Sequence, residues 1–309
     1  MPPARLYLRT RMPAHLSLAL ALVITLLAPA LTRATPPQDY RIVEDLRYTP
    51  PGWPADLAGD LYLPERTGLR PVVLVVHGGS WKGGDRASFD ARRIARHLAT
   101  QGYAAFSVDY RLAPAARYPA PLADLQQAVA WLRANAATHG LDPDAIGAWG
   151  YSAGGHLVAM LGTKWNAPAR LRAVVAGGTP ADLTALPDSG AVTTFLGKSV
   201  REDPALAADA SPLFHVGAGT PPFFLYHGAT DGLVEPGQAQ RFAAALKAKG
   251  VTVDVLYLRH FGHLRTALFP GKALAQGVAF LERHLAPASA DSPVEAGNAP
   301  DAAAAANTL

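Results

Sequence analysis

No cysteine occurs among the 309 residues. That absence excludes disulfides, thiol chemistry and a lipid anchor attached through cysteine. A chain of this length, 50% hydrophobic, carries enough core not to need covalent staples. Acidic residues are missing from the first 34 positions, which hold Arg5, Arg9, Arg11 and Arg33. Removing those four from the 28 basic side chains leaves 24, equal to the 24 acidic ones, so the net charge of +4 belongs to the leader. A neutral remainder implies neither a nucleic-acid partner nor a polybasic membrane tether. Lys and Arg are missing in turn after Ala286, where the chain is mostly Ala, Pro, Ser and Asn with three acids and almost no large apolar residue. So little apolar surface cannot offset chain entropy, and residues 287–309 read as a disordered tail. No H-E-x-x-H zinc helix and no dinucleotide-binding glycine fingerprint are present. Gly197-Lys198-Ser199 is not a phosphate loop, because the earlier glycine position holds Val192. No metal site is predicted.

The leader has a cationic start, an apolar run from Leu16 to Ala28, then Pro29 and small residues. This is the pattern of a secretory signal over residues 1–34, with cleavage at Thr32-Arg33-Ala34 or, as the rival, Ala28-Pro29-Ala30. The run is shorter than the roughly 20 apolar residues of a spanning helix. Export to the periplasm or medium is expected, with no stable membrane anchor after cleavage. No Arg-Arg pair marks a signal for export in the folded state.

Between these ends, residues 38–286 read as one domain. Apolar β-branched runs predict strands at Tyr40–Val43, Ala58–Leu63, Val72–Val76, Ala104–Val108, Ile146–Trp149, Leu171–Ala176, Phe223–Tyr226 and Val253–Leu258. Helices are predicted at Ala87–Thr100, Pro121–Thr138, Ala153–Thr163, Gln238–Lys249 and Ala273–Leu285. The alternation implies an α/β fold: a mostly parallel eight-stranded sheet with helices on both faces and an antiparallel leading pair. Four valines in Val72–Val76 suit a strand buried on both faces. Thr179–Thr220 is broken by Pro and Gly and predicts short helices over the edge where such sheets bind ligands.

Four segments carry chemistry. Gly150-Tyr151-Ser152-Ala153-Gly154 is a G-x-S-x-G motif between a predicted strand and a predicted helix, the setting in which a sharp turn holds a Ser hydroxyl exposed. His77-Gly78-Gly79-Ser80-Trp81 closes a strand with glycines whose amides can face a substrate carbonyl. The predicted oxyanion donors are the amides of Gly79, Ser80 and Ala153, with Gly78 as a further candidate. Trp81 reads equally as core packing or as a wall of the substrate site. Asp231 follows the penultimate strand and His263 the last, in the order Ser, Asp, His. Glu235 is the rival acid, read as helix N-terminal charge, and His260 the rival base. His77 and His227 read as structural beside the rim, and His156 as packed on its own helix. Asp109 reads as the ion-pair partner of Arg111.

With Asp109-Tyr110-Arg111-Leu112-Ala113-Pro114 between the two glycine motifs, residues 40–285 resemble the carboxylesterases of the hormone-sensitive-lipase clan. Tyr151 in the elbow and Ser80-Trp81 in the loop point to the bacterial acetylxylan and feruloyl esterase-like branch, and the N-terminal cap of the clan's classical members is not expected. The resemblance implies an α/β-hydrolase fold and a Ser152–His263–Asp231 triad. It also implies an oxyanion hole from residues 78–80 and Ala153, no cofactor, and a small-molecule ester as partner. Trp81 and Tyr151 are expected at the substrate. The same parts would also suit an aryl formamidase, a peptidase or a catalytically silent envelope binding module.

Overall fold

The computed structural model describes residues 39–164, 169–186 and 189–285. The expected signal, 1–34, and tail, 287–309, lie outside the described residues.

Eight strands form one sheet: β1 (Tyr40–Arg47), β2 (Ala58–Pro64), β3 (Arg70–Val76), β4 (Ala104–Val108), β5 (Leu141–Tyr151), β6 (Ala173–Gly177), β7 (Phe223–Gly228) and β8 (Val253–Leu258). Their spatial order is β1-β2-β4-β3-β5-β6-β7-β8. β1 and β2 run antiparallel, β2 meets β4 antiparallel, and every later pairing is parallel. The helices are α1 (Phe89–Thr100), α2 (Ala120–Ala134), α3 (Ala136–His139), α4 (Ala153–Thr163), α5 (Gly190–Leu196), α6 (Pro204–Asp209), α7 (Gly237–Ala248), α8 (His263–Leu268) and α9 (Gly271–Leu285).

Side chains alternate across a strand, so each inner strand feeds two cores. β3 sends Val72, Leu74 and Val76 to one, where α2, α4 and α7 pack with Val129, Leu157 and Phe242. It sends Val73 and Val75 to the other, against Ile94 of α1 and Phe280 of α9. β4, β6 and β7 are buried along their whole length, whereas the edge strands β1 and β8 are partly exposed. Burial on both faces removes polar alternation, which is why the inner strands were legible as apolar runs.

Two local readings change. The single helix expected over Pro121–Thr138 is divided at Asn135, whose Nδ2 donates to the Trp131 carbonyl and competes with the helical ladder. The expected Ile146–Trp149 strand extends back to Leu141 through the polar Asp142-Pro143-Asp144, with a register irregularity against β3. In the broken stretch after β6, α5 and α6 begin at Ser189 and Asp203, whose side chains accept from the Val192 and Leu206 amides as N-caps. Parallel pairing brings the C-terminal ends of β3, β5, β7 and β8 to one rim.

Candidate active site

Ser152 sits between β5 and α4 with φ +56° and ψ −121°, a conformation costing about 1–3 kcal/mol in a non-glycine residue. Its amide donates to the Gly177 carbonyl at 2.8 Å, fixing the turn from below. The flanking glycines are sterically required. A Cβ on Gly150 would lie 2.3 Å from the Gly154 carbonyl oxygen, and one on Gly154 would lie 2.1 Å from that of Val76.

His263 opens α8, and its Nε2 lies 2.9 Å from Ser152 Oγ. Its Nδ1 lies 2.7 Å from Asp231 Oδ2, so Nδ1 donates and Nε2 accepts. Asp231 Oδ1 accepts the amides of Leu233 and Val234, each at 2.9 Å. Burial alone would push the Asp231 carboxyl up, but the His263 hydrogen bond and these amides outweigh it and hold it below the usual carboxylate range. Glu235 instead bonds Arg241, and the His260 carbonyl accepts from Arg265. Neither rival joins the row.

The glycine loop after β3 has positive φ at Gly79, Ser80 and Trp81. The Gly79 carbonyl accepts the amides of Lys82 and Gly83. Gly79 and Ser80 line the space at Ser152, and Ala153, first in its helix, has no intrahelical partner for its N–H. Gly78 is corrected as a donor. Its amide is held by Asp90 Oδ2 at 2.8 Å, because the first turn of α1 passes beside the loop.

Two spaces meet at Ser152. A cavity of about 90 Å³ lies against Trp81, Ala153, Leu186 and Val192. A wider one of about 620 Å³ lies against Tyr151, His263, Phe89 and Leu268. Trp81 serves as both packing and wall: it is buried, stacks on Phe195 at 4.6 Å and borders the smaller space. Its Nε1 donates to His156 Nδ1 at 3.1 Å, and His156 Nε2 donates to the Ala210 carbonyl at 2.7 Å. Burial pushes the His156 pKa down to about 4, so the ring is neutral. Tyr151 stands where expected and has a second role. Its ring borders the wider cavity, but its hydroxyl is spent on the His263 carbonyl at 2.7 Å, so it supports the histidine backbone.

His77 and His227 are buried, bonding the Gly78 and Val234 carbonyls. The expected Asp109–Arg111 pair does not form. Asp109 binds Arg86, which also meets Asp60 and Asp45, while Arg111 turns to the buried Asp124 on α2 at 2.7 Å. A fully buried carboxylate has the stronger need of a cation. Among the described residues no three His, Asp or Glu side chains converge as metal ligands would, and no helix is long and apolar enough to cross a membrane.

A family profile described as BD-FAE matches residues 59–246. Among curated proteins, the probable carboxylic ester hydrolase LipM of Mycobacterium tuberculosis is 33% identical over 59% of this chain and 46% of its own. Esterase LipC of the same organism is 33% identical over 62% of this chain and 52% of its own. The chain thus spans about half the length of these relatives. Among solved structures, an acetyl ester-xyloside bifunctional hydrolase from Caldicellulosiruptor lactoaceticus superposes with a TM-score of 0.66 at 25% identity, covering 79% of this chain and 96% of that one.

Proposed function

We propose, since the chain belongs to the BD-FAE family of α/β-hydrolase esterases, that it is a serine carboxylic-ester hydrolase of small or short-acyl esters. The observation that carries this reading is the unbroken row from Ser152 Oγ through His263 to Asp231 Oδ2, with gaps of 2.9 and 2.7 Å. His263 Nε2 takes the Ser152 proton as Oγ attacks the ester carbonyl carbon, and the Gly79, Ser80 and Ala153 amides stabilise the oxyanion. Asp231 stabilises the imidazolium without taking its proton. When the intermediate collapses, the carbon–oxygen bond to the alcohol breaks and His263 returns the proton to the departing oxygen. Water then gives a proton to His263 and its oxygen to the acyl carbon, and Ser152 regains its proton as the acid leaves. The acyl chain has to lie away from His263, in the 90 Å³ cavity, which has room for only a few heavy atoms. That the Caldicellulosiruptor lactoaceticus neighbour is an acetyl ester-xyloside bifunctional hydrolase supports a short acyl group.

Hydrolysis of p-nitrophenyl acetate, butyrate and octanoate, beside Ser152→Ala, tests the reading. Turnover should fall with acyl length and vanish in the variant, and a fluorophosphonate should label Ser152. Retained hydrolysis by Ser152→Ala would sink it. Residues 1–34 are further proposed to direct export, which predicts a mature protein beginning at Thr35 or, from the rival site, at Leu31.

A further inference from the structure

We propose that the alcohol half of the substrate is apolar, an alkyl or aryl alcohol rather than a sugar, and that α8 and the start of α1 select it. This rests on the esterase reading, because His263 can protonate the departing oxygen only if the alcohol lies on its own side of Ser152. The space on that side is the 620 Å³ cavity. One wall is α8, where Leu264, Ala267 and Leu268 follow His263 at intervals that keep them on one side of a helix. The opposite wall is Phe89, the first residue of α1. Arg93 ties the walls together: its Nη1 donates to the Leu268 carbonyl at 2.6 Å and its guanidinium lies 5.9 Å from the centre of the Phe89 ring.

Phe89, Leu233 and Leu264 are 59%, 68% and 69% exposed. A single exposed leucine needs no explanation, but three large apolar side chains gathered around a cavity with a nucleophile in its wall mark a ligand surface. Recognition of a sugar needs polar groups to replace the water on its hydroxyls. Beyond Ser152 and His263, the polar side chains bordering this cavity are Ser80, Ser88, Asp90 and Tyr151, whose hydroxyl already donates to the His263 carbonyl. Asp90 Oδ2 already holds the Gly78 amide, and Ser88 Oγ is engaged in the turn with Asp85. A sugar here would place hydroxyls against leucine and phenylalanine.

The test uses acetates of alcohols with similar leaving-group acidity, ethyl, hexyl, octyl and 2-phenylethyl acetate, with a monoacetylated methyl xyloside, its other hydroxyls free, as the sugar. Acetate release by the whole protein should show kcat/KM rising about tenfold or more from ethyl to hexyl acetate. Hexyl acetate should also exceed the xyloside ester. A flat or falling series, or a xyloside ester at or above hexyl acetate, would overturn the proposal. Leu264→Ser and Phe89→Ser, at exposed positions, should each lower the hexyl-to-ethyl ratio at least threefold with the melting temperature kept. An unchanged ratio in both would overturn the assignment of the walls. Failure of the esterase reading itself looks different: no p-nitrophenyl acetate turnover and no fluorophosphonate label on Ser152. A labelled, active enzyme that prefers the sugar ester refutes only the alcohol assignment.

Discussion

Two histidines stand near Ser152, each with both ring nitrogens bonded, and their partners differ. His156, fully buried, lies between the Trp81 indole and the Ala210 carbonyl. His263, with its side chain 15% exposed, lies between the Ser152 hydroxyl and the Asp231 carboxylate. A carbonyl can hold a neutral ring in place, whereas a carboxylate also compensates a proton arriving on it. The same contrast runs through the two cavities. The closed one is walled by Trp81, which His156 fixes; the open one is lined by exposed Leu264 and Phe89 beside His263. On the proposed reading, the packed side would limit the acyl group and the exposed apolar lip would admit the alcohol.

The largest expected effect breaks the open side. Asp231→Asn removes the compensating charge but keeps the shape, and should lower kcat by roughly 10⁴-fold. Steady-state kinetics on p-nitrophenyl acetate would check it; a near-normal rate would move the acid to Glu235 and undo the contrast between the histidines. Next comes the closed side. Trp81→Ala empties a buried wall and leaves His156 without its donor, at a cost of about 3–5 kcal/mol in stability. Chemical denaturation would measure that loss, and in the surviving fold the octanoate-to-acetate ratio should rise. A cost under about 1 kcal/mol would mean that Trp81 is not holding the closed side.

Acid should sharpen the comparison further. His156 titrates near 4 when folded but near its ordinary 6.5 when unfolded, so between those values the unfolded chain binds more protons. The stability from keeping this ring neutral is full above about pH 6.5 and is lost as pH falls toward 4, on the order of 3 kcal/mol. Buried His77 and His227, also pushed down chiefly by burial, act in the same direction. The depressed Asp231 carboxyl acts in the same direction only at lower pH, its contribution being kept above about pH 4 and lost as pH falls through its folded value. Denaturation midpoints at pH 7 and 4.5 should therefore differ, and a His156→Gln variant should narrow the gap. An equal gap in both proteins would show that His156 is not the sensor.

The parts read from sequence share one property: their signal is local. The valines of β3, the glycines around Ser152 and the positions of Asp231 and His263 just past strand ends are short-range patterns. Strand geometry then brings those residues within hydrogen-bond distance. What stayed hidden depends on which distant segment arrives beside which. Gly78 looked like a free donor until α1 placed Asp90 against it, and Asp109 looked like the partner of its near neighbour Arg111 until Arg86 took that place. Tyr151 is legible as a wall of the substrate space, but the bond of its hydroxyl to the His263 carbonyl, 112 residues away, is not. No helix is expected immediately after His263 from sequence, so Leu264 and Leu268 come to notice only once α8 and Phe89 are seen to border one cavity.

The smallest expected effect separates function from stability on the open lip. Leu264 is exposed, on a six-residue helix, and its side chain carries little of the core. Leu264→Ser should change unfolding free energy by no more than about 0.5 kcal/mol, as surface substitutions usually do. Its effect on the hexyl-to-ethyl acetate ratio should exceed, in free energy, its effect on folding. Val192→Ala, in the buried wall of the closed cavity, should show the reverse order, costing stability first and altering acyl preference through the space it opens. If both variants lost stability equally, the lip would be part of the core, and its exposure would not be evidence of a ligand surface.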